Sequence, residues 1–232
     1  MNLGERRNAV LDELAAVICE IQLPHPVRIA INGVDGAGKT RFADELVAPC
    51  LKSGREIIRA SIDGFHNPRS IRYARGKLSP EGYFRDSFDN DALINSLLRP
   101  LGPNGSRLYR TAAFDWRSDA PVVSPQKRAT STAILILDGI FLFRPELKSE
   151  MDFKVFLDVT EESACQRCAE RDGSSPDMHS EAHRRYLEGQ RLYFSECNPK
   201  AQADAIIDNN DLLKPVLTWN QQGVMGTDPS IH

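Results

Sequence analysis

Apolar residues at Val10, Leu11, Leu14, Val17, Ile18 and Ile21 recur three and four apart, which predicts an amphipathic helix over residues 3–21. Pro24 and Pro26 close it. The rhythm then changes. Residues 27–31 form a short β-branched run, read as a strand, and a glycine-rich turn leads into a predicted helix from about Lys39 to Leu51, ended by Ser53-Gly54. Residues 56–62 read as a second strand. Residues 133–138 are a continuous apolar run closed by Asp138, the pattern of a central parallel strand buried on both faces. Further strands are expected at 153–157 and 205–207, and helices at 161–171 and 180–194. Strands alternating with helices predict an α/β fold, a parallel sheet with helices on both faces.

The regular pattern loosens between residues 64 and 130. This stretch holds many of the prolines and Phe65, Tyr73, Tyr83, Phe84, Phe88, Tyr109, Phe114 and Trp116, with one helix expected at 89–98 and a strand or hairpin at 108–116. Such a segment inside an α/β domain suits a substrate-binding insertion. The chain of 232 residues is long enough for one sizeable domain, 1–232. A net charge of −3 gives no global basic field for nucleic acid. No apolar run approaches the roughly 18 to 20 residues of a membrane span, and the N-terminus lacks a continuous apolar leader, so the default expectation is cytoplasmic. The five cysteines are too scattered for a disulfide framework; Cys165 and Cys168 form a C-x-x-C with no second ligand pair at zinc spacing.

The strongest chemical signal is G-x-x-x-x-G-K-T, residues 33–40, lying after a strand and before a helix. Its glycines let backbone N–H groups curl around a polyphosphate, and the helix N-terminus adds its positive end. Gly33, Asp35, Gly36, Ala37, Gly38, Lys39, Thr40 and the following Arg41 are the expected contacts to ATP, with Lys39 reaching the β- and γ-phosphates. The fold is therefore expected to be a P-loop NTPase three-layer sandwich. Asp138, at the tip of a central strand, is placed to hold Mg2+ together with the Thr40 hydroxyl, a turn Asp before Gly139 being the alternative.

Asp63 ends the second strand, and parallel strands carry their C-terminal ends to one edge of the sheet. It is the candidate to orient or deprotonate an attacking hydroxyl, a turn or capping role being the alternative. Arg167 and Arg171 are four apart on one helix face and precede a glycine- and proline-containing break, which suggests a lid over about 172–182 and two cations for a transferred phosphoryl group; a solvated helix face is the other reading. His179 and His183 are spaced i, i+4 but have no evident third ligand.

These residues resemble the uridine kinase family and its relatives, the phosphoribulokinases, type I pantothenate kinases and nicotinamide riboside kinases. The resemblance covers about residues 27–208. Residues 33–40 resemble the family's phosphate loop, 61–65 (Ser-Ile-Asp-Gly-Phe) its D-[SG]-F segment with the catalytic Asp, and 85–89 (Arg-Asp-Ser-Phe-Asp) its N-F-D-x-P segment. Residues 114–116 (Phe-Asp-Trp) resemble Y-D-F, 137–141 the Walker-B segment, 166–172 the lid entry, and 203–207 (Ala-Asp-Ala-Ile-Ile) the A-D-[VI]-I-I near the nucleotide. The resemblance implies phosphoryl transfer from ATP to a small acceptor, with Asp63, Phe65, Phe88, Asp89, Phe114 and Trp116 as acceptor contacts; His66, beside Asp63, is a further candidate contact, a solvated loop His being the alternative. The departures fall on the acceptor side. The family's pyrimidine-reading Tyr and His correspond here to Phe114 and Asp119, and the lid's R-G-R continuation is replaced by Gly-Ser-Ser-Pro at 173–176. Neither nucleic acid nor membrane is an expected partner. Self-association stays open, as does an ATPase or switch protein that needs no small acceptor.

Overall fold

The computed structural model describes residues 3–173 and 180–220. A six-stranded sheet forms the middle layer: β1 (Val27–Gly33), β2 (Ile57–Ser61), β7 (Ile134–Gly139), β8 (Phe153–Asp158), β9 (Ala205–Asp208) and β10 (Val216–Trp219). Its order is β10-β9-β8-β1-β7-β2, and every pairing is parallel except that of β10 with β9. β1 lies between β7 and β8 and is buried along its whole length, as is β7.

Burial on both faces explains the continuous apolar runs. Ile29, Ile31, Ile134 and Ile136 face a core with α1 (Leu3–Glu20) and α2 (Lys39–Leu51), contributed by Leu11, Leu14, Ile18, Phe42 and Leu46. Ala30, Leu135 and Leu137 face the other core, with Phe65, Phe84, Leu97, Phe141 and Tyr193. That second core brings α4 (Pro80–Asp86) against α7 (Glu181–Cys197), where Phe84 and Tyr193 pack tilted on each other and both meet Phe141 edge-on.

The 64–130 stretch is built of short pieces. They are α3 (Arg69–Arg72), α4, and α5 (Asn90–Leu93), which runs into a π-helical turn at Ile94–Leu98. Two ribbons follow: β3 (Leu108–Tyr109) with β6 (Lys127–Arg128), and β4 (Phe114–Asp115) with β5 (Ala120–Pro121). The stretch 108–116, expected as a strand or part of a hairpin, holds two short strands with different partners, and β4 forms a hairpin with β5. β10 falls in a tail whose pattern carries no clear signal; it completes the sheet by an antiparallel edge pairing.

Candidate functional site

The register sets the site. Ser61 pairs with Asp138 and Asn32 with Gly139, so the ends of β1, β2 and β7 lie together at one edge. The phosphate loop leaves β1 at this edge and enters α2. Gly38 caps α2 in the left-handed region (φ 84°) without a side-chain hydrogen bond, so the first-turn N–H groups have no side-chain capping partner. Gly36 is also left-handed (φ 74°), and a Cβ there would collide with the Ala164 carbonyl of α6 (Glu161–Asp172). The bare glycine cradle and the uncapped helix end fit a bound polyphosphate.

Lys39 arches back over the loop, its Nζ donating to the Val34 carbonyl at 2.8 Å. Enclosure by protein lowers its pKa, an effect opposed by the nearby carboxylates Asp35, Asp138 and Asp63. The Thr40 hydroxyl donates to Asp138 Oδ2 at 2.6 Å. Among the described residues no group of three or more His, Cys, Asp or Glu could hold a metal by itself. A hydroxyl and a carboxylate are hard oxygen donors of the kind that would hold Mg2+.

Asp63 sits in the 3₁₀ turn Ile62–Phe65 and donates its own N–H to the capping Ser61 hydroxyl at 3.3 Å. The turn comes close to β7 because residue 139 is glycine: a Cβ there would lie 2.5 Å from Ile62 Cγ2. Asp63 keeps an exposed surface toward the cleft, yet the protein mass around it raises its pKa; His66 and Lys39 oppose that shift, and Asp138 and Asp35 add to it. The His66 imidazole bonds the Asp63 carbonyl through Nδ1 at 3.0 Å. Its ring packs against Phe88 at 4.5 Å and Trp116 at 6.0 Å between centroids. Desolvation lowers its pKa, favouring the neutral ring.

Other expected contacts lie elsewhere. Phe65 is fully buried in the core, Phe88 and Phe114 nearly so, and Trp116 is the exposed aromatic of the group. Phe65 therefore has no surface to offer an acceptor. The Asp89 carboxylate caps α5, accepting from Ala92 N at 2.8 Å. Arg41 pairs with Glu45 on the exposed face of α2. Arg171, largely exposed, pairs with Asp172 at 2.8 Å, and its link to the loop is the longer-range charge of Asp35 rather than a hydrogen bond. Arg167 instead reaches backbone: it donates to the carbonyls of Gly36 (3.5 Å), Asn209 (2.9 Å) and Asn210 (2.6 Å). It stitches the phosphate loop to the end of β9. The presumed lid lies partly outside the described residues, and His179 falls entirely there. Cys165 and Cys168 are free thiols on α6.

Five supporting residues escape sequence reasoning. Arg59 on β2 donates to Asp138 Oδ1 at 2.9 Å and to Asp44 at 2.9 Å, orienting the carboxylate that Thr40 also holds. Tyr83 donates its hydroxyl to Asp35, and Gln190 donates to the same oxygen at 3.4 Å, tying the phosphate loop to α4 and α7. Asn209, fully buried, donates to the Ala37 carbonyl at 2.8 Å and accepts from Arg7 of α1 at 3.1 Å. Arg59 lies two residues before Ser61 and so shares its side of β2, but that signal needs the β2–β7 pairing, which no local pattern reveals.

Among the described residues no helix is long and apolar enough to cross a membrane. No protein-family model matches the chain. A curated uridine kinase of Leuconostoc citreum (strain KM20) is 27% identical over 150 residues, 63% of this chain and 69% of that protein. A uridine kinase of Ligilactobacillus salivarius (strain UCC118) is 23% identical over 150 residues, 63% of this chain and 67% of that one. Uridine kinase-like protein 3 of Arabidopsis thaliana matches at 24% over 149 residues, which is 31% of its length. In fold, a solved structure described as a possible uridine kinase from Bacillus stearothermophilus superposes with a TM-score of 0.68 at 21% identity, covering 87% of this chain and 98% of that one. A protein of Silicibacter sp. TM1040, provisionally described as a fructose transport system kinase, gives 0.63 at 21% identity, covering 84% and 95%. Relatives in sequence and neighbours in fold together support a uridine kinase-like family of P-loop kinases for this chain.

Proposed function

We propose that residues 1–232 act as one kinase domain that transfers the γ-phosphoryl group of ATP to a hydroxyl of a small acceptor. The observation that carries this reading is the meeting of Lys39, the Thr40–Asp138 pair and Asp63 at one edge of the sheet. Lys39 and the backbone amides of residues 33–40 hold the phosphates. Thr40 and Asp138 would hold Mg2+, which when bound offsets charge on the phosphate oxygens. Asp63 accepts or orients the proton of the attacking hydroxyl, and its raised pKa makes it a better base than a free carboxylate. His66 and Trp116 border the acceptor beside Phe88. Arg167 holds the loop and the strand end at residues 209–210 in register for the nucleotide.

A coupled ADP-release assay over nucleosides, sugars, pantothenate and glycerate tests the reading. ADP release that depends on one of these acceptors is expected. Release with no stimulation by any of them would favour a nucleotide switch instead.

A further inference from the structure

A rim of contacts runs from the phosphate loop to Asp63 on the acceptor side of the cleft. Asp35 accepts from Tyr83, and the Tyr83 ring lies 5.5 Å from the Arg185 guanidinium. Arg185 stands 4.9 Å from the Tyr73 ring, and Arg72 stands 5.6 Å from that same ring. Arg72 is close enough to His66 for its charge to act on the imidazole, and His66 bonds the Asp63 carbonyl.

Both arginines are 7% exposed, an unusual degree of burial for this side chain. Neither is fully used. Arg72 donates one Nη to Asp119 at 3.1 Å, and Arg185 donates one to the Lys77 carbonyl at 2.9 Å. Among the described residues the Nε of each is buried without a hydrogen-bond partner. The carboxylates nearby are occupied: Asp35 by Tyr83 and Gln190, Asp119 by Arg72 and the Arg69 N–H, and Asp86 by Arg75. Nε and Nη2 form the guanidinium edge that makes a two-bond fork with a carboxylate or phosphate; among the described residues no bond occupies that edge in Arg185, whereas in Arg72 Nη2 holds Asp119 and Nε is the donor left over. A buried charged donor left unpaired is costly, and an arriving oxyanion satisfies it.

Resting on the kinase reading above, we infer that the acceptor carries an anionic oxygen group, phosphate or carboxylate, which Arg72 and Arg185 bind beside Tyr73 while its hydroxyl faces Asp63.

The test pairs neutral and anionic acceptors: glycerol with D-glycerate, ribose with ribose 5-phosphate, and uridine with uridine 5′-monophosphate. With MgATP, the anionic member of at least one pair should show kcat/KM at least tenfold above its neutral partner. Arg72→Gln and Arg185→Gln should each lower that value at least tenfold through KM, with KM for ATP within about twofold. Preference for the neutral members, or equal losses on both, overturns the inference. Calorimetry with MgADP saturating the phosphate loop reads binding without turnover. There, at least one anionic probe should bind wild type and weaken at least tenfold in Arg185→Gln; absence of binding by all three overturns the inference. Binding without ADP release from any acceptor supports the anion site and instead overturns the kinase reading. Arg185→Lys serves if the Gln variant does not fold: it keeps the charge but lacks the fork, and should still lose affinity.

Discussion

Arg59→Met removes the guanidinium that neutralises Asp138. Asp138 is 1% exposed, and its two oxygens are shared between Arg59 at 2.9 Å and the Thr40 hydroxyl at 2.6 Å. Removing one partner of a buried ion pair costs about 3–5 kcal/mol, because the remaining charge stays desolvated. Arg59 is itself 22% exposed in its side chain and shares its charge with exposed Asp44, so the figure needs discounting to about 2 kcal/mol. For a chain of this size that is a fall of roughly 4–8 °C in Tm. The same geometry makes a second, more discriminating prediction. In the variant Asp138 keeps Lys39 nearby but loses its ion-paired guanidinium, so Mg2+ with ATP supplies the missing charge. MgATP should therefore raise Tm more in Arg59→Met than in wild type, and adding Asp138→Asn should abolish that excess. Scanning calorimetry with and without MgATP reads both quantities. A variant as stable as wild type, or one that gains less from MgATP, would refute the claim that Arg59 and Mg2+ compete to balance Asp138.

Two further outcomes follow from the site. Activity needs ionised Asp63, and its pKa is raised, so kcat/KM should fall on acidification at a higher pH than the ~3.9 of a free aspartate. Protonated His66 lowers the Asp63 pKa, so His66→Gln should move that acid limb upward in pH; a downward shift in the pH–rate profile would contradict the coupling. Arg167→Ala loses bonds to three carbonyls that join the loop to residues 209–210 and should weaken ATP binding about tenfold, as roughly 1.4 kcal/mol of lost positioning does, whereas Arg171→Ala should stay within about twofold. Calorimetric ATP titrations of the two variants compare them directly, and equal losses would refute the distinction.

What was legible in the sequence was whatever a local pattern dictates. The phosphate loop was readable because glycines, Lys39 and Thr40 act through backbone geometry within eight positions. β7 was readable because a strand buried on both faces needs an unbroken apolar run, and Asp138 stood out at its end. The insertion was legible as irregular, but its ribbons are two residues each and too short for any alternation to show. Arg171 shows the limit of helix spacing: it predicts a shared face with Arg167 but not which of the two finds carbonyls to bond. Asp89 shows a similar limit, since an aspartate before a helix reads equally as a cap or a ligand. Arg59, Tyr83, Arg7 and Asn209 act through contacts between residues distant in the chain, which only the folded topology brings together.

The central claim is that Asp63 stands over a phosphate site built by Lys39, Thr40 and Asp138 and handles the acceptor's proton. Turnover and MgATP affinity of Asp63→Ala, measured on one preparation with an acceptor that wild type uses, test it most directly. The account predicts a fall of about 10²–10⁴ in kcat, the usual worth of a positioned general base, with MgATP affinity within about threefold of wild type. Turnover equal to wild type would contradict it.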